Sequence, residues 1–235
     1  MEQRLTGLKH GKYAGALPYL VDGKLRKYHL YRVLAEKLFY QRHCQEQNLP
    51  CPRILDLGCH DGQILKFIAG DYDTQLTGID IFENVVSRAK LAGIDAFVAD
   101  IEDGLPFKES HFDIVFAGEI IEHLYNPKKA LQEANRVLSQ NGGLIVTLPN
   151  ICSLRNRARI LSGKLPYHYN SSAQEKWGDH IRLFTAKSLS DLLGQTGFYV
   201  DSISSNGLFG SGIARKSCPK LGDLLVIYAK KSEQK

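Results

Sequence analysis

The chain has little of what usually settles a function early. It has no G-x-G-x-x-G stretch, which removes the usual pyrophosphate-gripping turn of dinucleotide-binding folds. Its five cysteines (Cys44, Cys51, Cys59, Cys152 and Cys218) are odd in number and form no C-x-x-C. That argues against a disulfide frame or zinc knuckle and for reduced thiols in a cytoplasmic compartment. No apolar run is long enough to cross a bilayer, and no charged-then-apolar leader is present, so no membrane span is expected. Internal repeats and low-complexity blocks are also absent. Charge of one sign is scarce: 30 Lys and Arg against 25 Asp and Glu leave a net charge of +5. This favours an anionic partner but does not require nucleic acid.

What is present is organised around Arg53 to Gly62. Ile54, Leu55 and Leu57 read as a strand buried on both faces, as in a parallel sheet. Gly58 and Gly62 bracket a tight turn with His60 between them, and Ile64, Phe67 and Ile68 follow at helical spacing. Glycine lets the backbone approach a ligand, and the helix start offers unpaired N–H groups. Asp56, at the end of the strand, suits an ammonium better than a pyrophosphate. A second strand, Gln75 to Ile79, ends at Asp80, where a carboxylate can accept from ribose hydroxyls. A third, Ile94 to Val98, leads to Asp100 and Ile101, where an acid could meet an adenine amino group.

Asp56-x-Gly58-x-x-x-Gly62, then Asp80, then Asp100 resembles the class I S-adenosylmethionine-dependent methyltransferases of the type 11 and type 23 kind, from about Pro52 to the C-terminus. His60 departs from the family, which usually has glycine there. The resemblance implies an α/β, Rossmann-like, seven-stranded sheet, mostly parallel, with its last two strands antiparallel and helices on both faces. It implies S-adenosylmethionine held by Asp56, Gly58, Cys59, Gly62, Asp80, Ile81, Asp100, Ile101, Gly118 and Glu119. Residues 1–51 would form an N-terminal arm and lid helix. Residues 52–235 would form the methyltransferase domain, with a substrate-lid insertion at about 151–180.

Along the chain, Tyr28 to Gln47 is expected to be a helix with Leu30, Val33, Leu34, Leu38 and Phe39 on its apolar stripe. A short strand is expected around Ala16 to Val21. Tyr13, Tyr19, Tyr28 and His29 are either lid residues over the substrate or ordinary core and surface aromatics. Phe112 to Phe116 is the fourth strand. Glu119 to Leu124 is expected to be a helical turn, which would set Glu119, Glu122 and His123 on one face. Asn126 and Pro127 open a helix that Asn141-Gly142-Gly143 ends, and Leu144 to Leu148 is the fifth strand. Cys152 to Gly178 mixes Arg155, Arg157, Arg159 and Lys164 with Tyr167, Tyr169 and Trp177. That mixture suits an anionic or aromatic substrate, or else is a solvated face with snorkelling arginines. Thr185 reads as an N-cap for Ala186 to Gly194. Phe198 to Ile203 and Leu224 to Tyr228 are the last two strands, joined by a loop from Gly207 to Pro219.

Methyl transfer requires an aligned nucleophile and, for a hydroxyl acceptor, a group that takes its proton; His123 and His180 are the catalytic candidates. Glu-x-x-Glu-His followed later by Asp-His is similar to the small-RNA 3′-terminal 2′-O-methyltransferases, and its first part to the ubiquinone-biosynthesis O-methyltransferases. By that resemblance Glu119, Glu122, His123 and His180 would hold magnesium or manganese. O-methylation of a small molecule is the leading reading. RNA 2′-O-methylation and a non-catalytic binding module are the alternatives. A short-chain dehydrogenase pair at Tyr125 and Lys129 fails because Pro127 marks a helix start between them.

Overall fold

The computed structural model describes residues 20–21, 24–25, 27–167, 180–206 and 221–232 of the 235. Two short strands, β1 (Leu20–Val21) and β2 (Lys24–Leu25), pair antiparallel ahead of helix α1 (Lys27–Glu46). The chain then alternates through β3 (Arg53–Leu57), α2 (Gln63–Ala69), β4 (Gln75–Asp80), α3 (Glu83–Leu91), β5 (Asp95–Val98), β6 (Phe112–Gly118), α4 (Pro127–Val137) and β7 (Leu138–Pro149). Helices α5 (Leu154–Leu161) and α6 (Ala186–Gln195) precede β8 (Phe198–Ser205) and β9 (Leu224–Lys231).

The seven-stranded sheet runs β5-β4-β3-β6-β7-β9-β8. Strands β3 to β7 pair in parallel, and β9 enters antiparallel to both β7 and β8. Strand order reverses between β3 and β6, the switch point where open α/β sheets bind ligands outside the carboxyl ends of their strands. This is the mixed, Rossmann-like sheet that the family resemblance implies.

The apolar runs divide by alternation, since successive side chains leave a strand on opposite faces. Leu55, Val115, Ala117, Leu144, Val146 and Ile227 pack on one side, with Leu131 and Ala134 of α4 and Leu189 and Leu193 of α6. Ile54, Ile114, Phe116, Ile145 and Tyr228 pack on the other, with Val33 and Tyr40 of α1, Leu65 and Ile68 of α2, and Val86 of α3. Helix starts behave as the local chemistry dictates. Asn126 accepts from the Lys129 amide at 3.1 Å with Pro127 behind it, and Thr185 and Ser188 form a capping box.

Three expectations are corrected. Asn141-Gly142-Gly143 does not end a helix: α4 stops at Val137 and these residues lie inside β7. Gly143 serves close packing, because a Cβ there would stand 2.7 Å from the buried His43 imidazole. The buried face of α1 is not the expected stripe. It comprises Arg32, Val33, Ala35, Glu36, Tyr40, His43 and Cys44, while Leu34, Leu38 and Phe39 stay half-buried. Glu119 to Leu124 is not an α-helical turn: Glu119 takes a left-handed φ of 55°, and only Ile121–His123 form a 3-10 turn.

No helix among the described residues is long and apolar enough to cross a membrane. Cys44, Cys51, Cys59 and Cys152 are free thiols. Tyr13, Tyr19, Tyr169, Trp177, Asp179, Cys218, the segment before Leu20 and the Gly207 to Pro219 loop lie outside the described residues.

Candidate active site

The candidate site lies at the carboxyl ends of β3, β4 and β6, where the strand order reverses. After Leu57 the chain turns back over β4: the Gly58 and Cys59 amides donate to the Ile79 carbonyl at 2.8 and 2.9 Å. Three residues of the turn have positive φ, namely Gly58 (74°), His60 (49°) and Gly62 (73°). A Cβ at Gly62 would lie 2.5 Å from Ile94 Cγ1, and one at Gly78, in β4, 2.6 Å from Cys59 Sγ. Glycine is therefore required at both. His60, where the resembled family has glycine, is accommodated in the left-handed region.

Asp80 braces this turn. One carboxylate oxygen accepts from the His60 amide and the other from the Phe82 amide, each at 3.0 Å. Each oxygen keeps a second lone pair able to accept a further hydrogen bond. Ile81 and Phe82 beside it are exposed. Asp100 accepts from the Glu102 amide at 2.8 Å, which fixes its carboxylate at the end of β5 above buried Ile101. Asp56 is half-buried at the end of β3. Burial, with Glu36 and Asp80 nearby and Arg32 opposing, pushes its carboxyl up to about 8. Burial also pushes the Cys59 thiol up.

At the other end, the chain leaves β6 through Gly118 and Glu119. The Glu119 amide donates to the Thr147 carbonyl at 2.8 Å, and its side chain accepts from the Thr147 hydroxyl. Glu119 therefore turns toward β7, and its carboxyl lies close enough to Glu122 to act on it without joining the converging set. Glu122, His123 and His180 do converge: one ligand-capable atom from each lies within 4.8 Å of the others. His180 Nε2 stands 3.9 Å from Glu122 Oε1, and the two imidazole rings meet edge-on with centroids 4.7 Å apart. The backbone dictates the meeting. The Ile181 and Arg182 amides both donate to the Glu122 carbonyl at 3.1 Å, and Arg182 Nε donates to the Leu124 carbonyl at 2.9 Å. Arg182 also donates to the Tyr125 carbonyl, and Phe184 bridges in parallel to Asn150.

Glu122 is 1 % exposed, and neither carboxylate oxygen has a hydrogen-bond donor among the described residues. Burial, aided by the neighbouring Glu119, raises its carboxyl well above the usual range. A two-imidazole, one-carboxylate set of this reach fits a divalent cation.

The sequence reading missed Arg32, Glu36 and Thr147. Arg32 Nη1 donates to Glu36 Oε1 at 2.8 Å and to Thr147 Oγ1 at 3.2 Å, under the end of β6. The available signal was a charged i,i+4 pair beside an apolar stripe.

Residues 55–146, from β3 into β7, match the methyltransferase domain family model. An uncharacterised protein of Methanocaldococcus jannaschii is 28 % identical over 153 residues, covering 65 % of this chain and 67 % of its own. The 27-O-demethylrifamycin SV methyltransferase of Amycolatopsis mediterranei is 33 % identical over 102 residues, covering 39 % of this chain; the chain spans only 36 % of that enzyme. Among solved structures, an S-adenosylmethionine-dependent methyltransferase from Thermotoga maritima, a possible histamine N-methyltransferase, superposes with a TM-score of 0.63. It is 20 % identical, and the match covers 87 % of this chain and 92 % of that one. The matched segment holds the ends of β3, β4, β5 and β6, so the likeness to a methyltransferase domain falls on those strand ends, and the fold is the one shared with S-adenosylmethionine-dependent methyltransferases of known structure.

Proposed function

We propose that this chain transfers the methyl group of S-adenosylmethionine to a hydroxyl of a small molecule, such as a sugar or phenol. The convergence of Glu122, His123 and His180 beside the end of β6 carries the reading. The relatives' names point to oxygen in one case and nitrogen in another. The cluster favours oxygen, because a hydroxyl must lose a proton that a neutral amine need not lose before attack. Displacement at a sulfonium releases a neutral thioether, so no acid is needed on that side. An imidazole of the pair takes the acceptor's proton, and Glu122 stands close enough to His180 to stabilise the cation that forms. Asp56, Asp80 and Asp100 hold the cofactor's ammonium, ribose and adenine in this reading, with Gly58 to Gly62 beneath it. The arginines of α5 favour an anionic or aromatic acceptor.

The buried Glu122 carboxylate favours a second reading, in which Glu122, His123 and His180 hold a divalent cation that lowers the acceptor's pKa. Without Glu119, two imidazoles and one carboxylate suit manganese or zinc better than magnesium.

The test measures S-adenosylhomocysteine formation against a panel of phenols and sugars. Glu122→Gln and His180→Ala should each lower turnover by about 10²–10⁴-fold with cofactor affinity unchanged. A chelator should abolish activity in the metal reading and leave it intact in the base reading. Full turnover in both variants would overturn the acceptor-site assignment.

A further inference from the structure

Helix α1 buries two charged side chains under the methionine end of the cleft. Arg32 and Glu36 are 3 % and 2 % exposed. A Cβ on Gly118 would lie 3.4 Å from Arg32 Nη1 and 3.9 Å from Glu36 Oε1, so the pair sits directly beneath that strand end. Glu119 shares the Thr147 hydroxyl with Arg32. Asp56, on the adjacent strand, feels both Arg32 and Glu36. Glu36 therefore touches the guanidinium directly, and the carboxyl groups of Asp56 and Glu119 lie within its electrostatic reach.

A purely architectural role explains only part of this. An Arg–Glu pair that fastens α1 to β7 accounts for Glu36 Oε1. It leaves Glu36 Oε2 and Glu119 Oε1, both buried with no hydrogen-bond donor among the described residues. Buried carboxylates without partners are costly, and they persist where a ligand supplies the missing charge.

We propose that Glu36 makes the cleft prefer the positively charged methyl donor over its neutral thioether product, through the buried carboxylate oxygen that meets no donor among the described residues. The inference rests on the cofactor reading above. Donor and product carry the same ammonium, carboxylate, ribose and adenine and differ by one methyl group and one positive charge at sulfur. In the transfer the S–CH₃ bond breaks, its electron pair stays on sulfur, and a C–O bond forms as the acceptor's proton passes to the base. The charge that the carboxylates favoured has then left the sulfur, so they no longer hold the product more tightly than a neutral pocket would. Glu36 acts through the field at the sulfur and does not touch the acceptor, which makes it specificity-determining for the cofactor's charge state.

The experiment is calorimetric titration of the full chain with S-adenosylmethionine, S-adenosylhomocysteine and sinefungin, whose protonated amine stands near the sulfonium position. In Glu36→Gln, which keeps the shape and the contact with Arg32, the two cationic ligands should weaken by about tenfold and S-adenosylhomocysteine by less than about twofold. An equal change for all three, or none, overturns the proposal. If the variant melts early, the wild-type series decides: sinefungin should bind more tightly than S-adenosylhomocysteine, and the reverse order overturns it. Absence of binding heat for all three ligands in the wild type would instead overturn the cofactor reading itself.

Discussion

The two ends of the cleft are built from different material. The proposed nucleotide end is backbone: residues 56 to 62 and 78 to 82, each run contiguous in sequence, are shaped by positive φ at Gly58, His60 and Gly62 and by Asp80 gripping two amides. The proposed acceptor end is side chain: Glu122 and His123 meet His180 across a long stretch of chain, held by amides and one guanidinium on the carbonyls of Glu122, Leu124 and Tyr125. A backbone-built site depends on volume and conformation at single positions. A site assembled from distant segments depends on the contacts that hold those segments together. Substitutions at the first end should therefore fail by clash, and at the second by loosening.

The largest effect expected on stability comes from filling the nucleotide turn. Gly62→Ala places a Cβ 2.5 Å from Ile94 Cγ1 on a left-handed residue. Overpacking and strain together should cost about 2–4 kcal/mol, a fall in Tm of about 5–15 °C. Gly93→Ala isolates the conformational part. Its φ is 85°, but nothing lies within 4 Å of the added carbon, so it should cost about 1 kcal/mol. Thermal melts of the two variants compare volume with conformation directly, and equal losses would show that backbone strain alone governs the turn.

The same division explains what the sequence made legible. Acids at the ends of β3, β4 and β5, the glycines of the turn, the Asn126 cap and the Thr185 cap are local signals, and each lies where its local chemistry predicts. The misread places are those where tertiary packing overrides local preference. Glu119 leaves a helical pattern because its amide is taken by the Thr147 carbonyl, a contact no helical spacing encodes. Gly142 and Gly143 resemble a helix stop, yet Gly143 makes room for His43. Arg32 and Glu36 were invisible as site residues because their role depends on α1 packing over the ends of β6 and β7. His180 entered as a histidine able to take a proton and again through the resemblance, but nothing near it in sequence points to Glu122.

A middle-sized effect separates the ends by pH. In the free protein the Asp56 carboxyl, pushed up to about 8, is mostly protonated at pH 7. Its neutral form is the one the fold favours, so this group weakens stability as pH rises from the usual carboxylate range toward 8. A bound ammonium favours the ionised form. Cofactor affinity should therefore rise with pH by up to about tenfold per unit below 8 and level off above it. Asp56→Asn should bind more weakly and with a flat profile over the same interval. A flat wild-type profile would place the ammonium away from Asp56 and leave Asp80 as the acid that defines the nucleotide end.

The smallest effect is at the stitching of the acceptor end. Arg182 donates to the carbonyls of Leu124 and Tyr125, and its amide to that of Glu122, so it joins the segment carrying His180 to the turn carrying His123. Arg182→Ala removes the side-chain bonds and keeps the amide bond. The Glu122 carbonyl therefore retains both of its donors, and the segment should loosen without detaching. The expected result is a few-fold rise in KM for the acceptor with cofactor affinity unchanged, and faster hydrogen exchange at the amides of Ile181 and Arg182. Lysine at this position restores one charged donor but not the two-pronged reach, so it should recover part of the loss. Should cofactor affinity fall along with acceptor affinity, the two ends would be one mechanical unit. The carbonyl contacts of Arg182 would then support the whole cleft, not only the acceptor half.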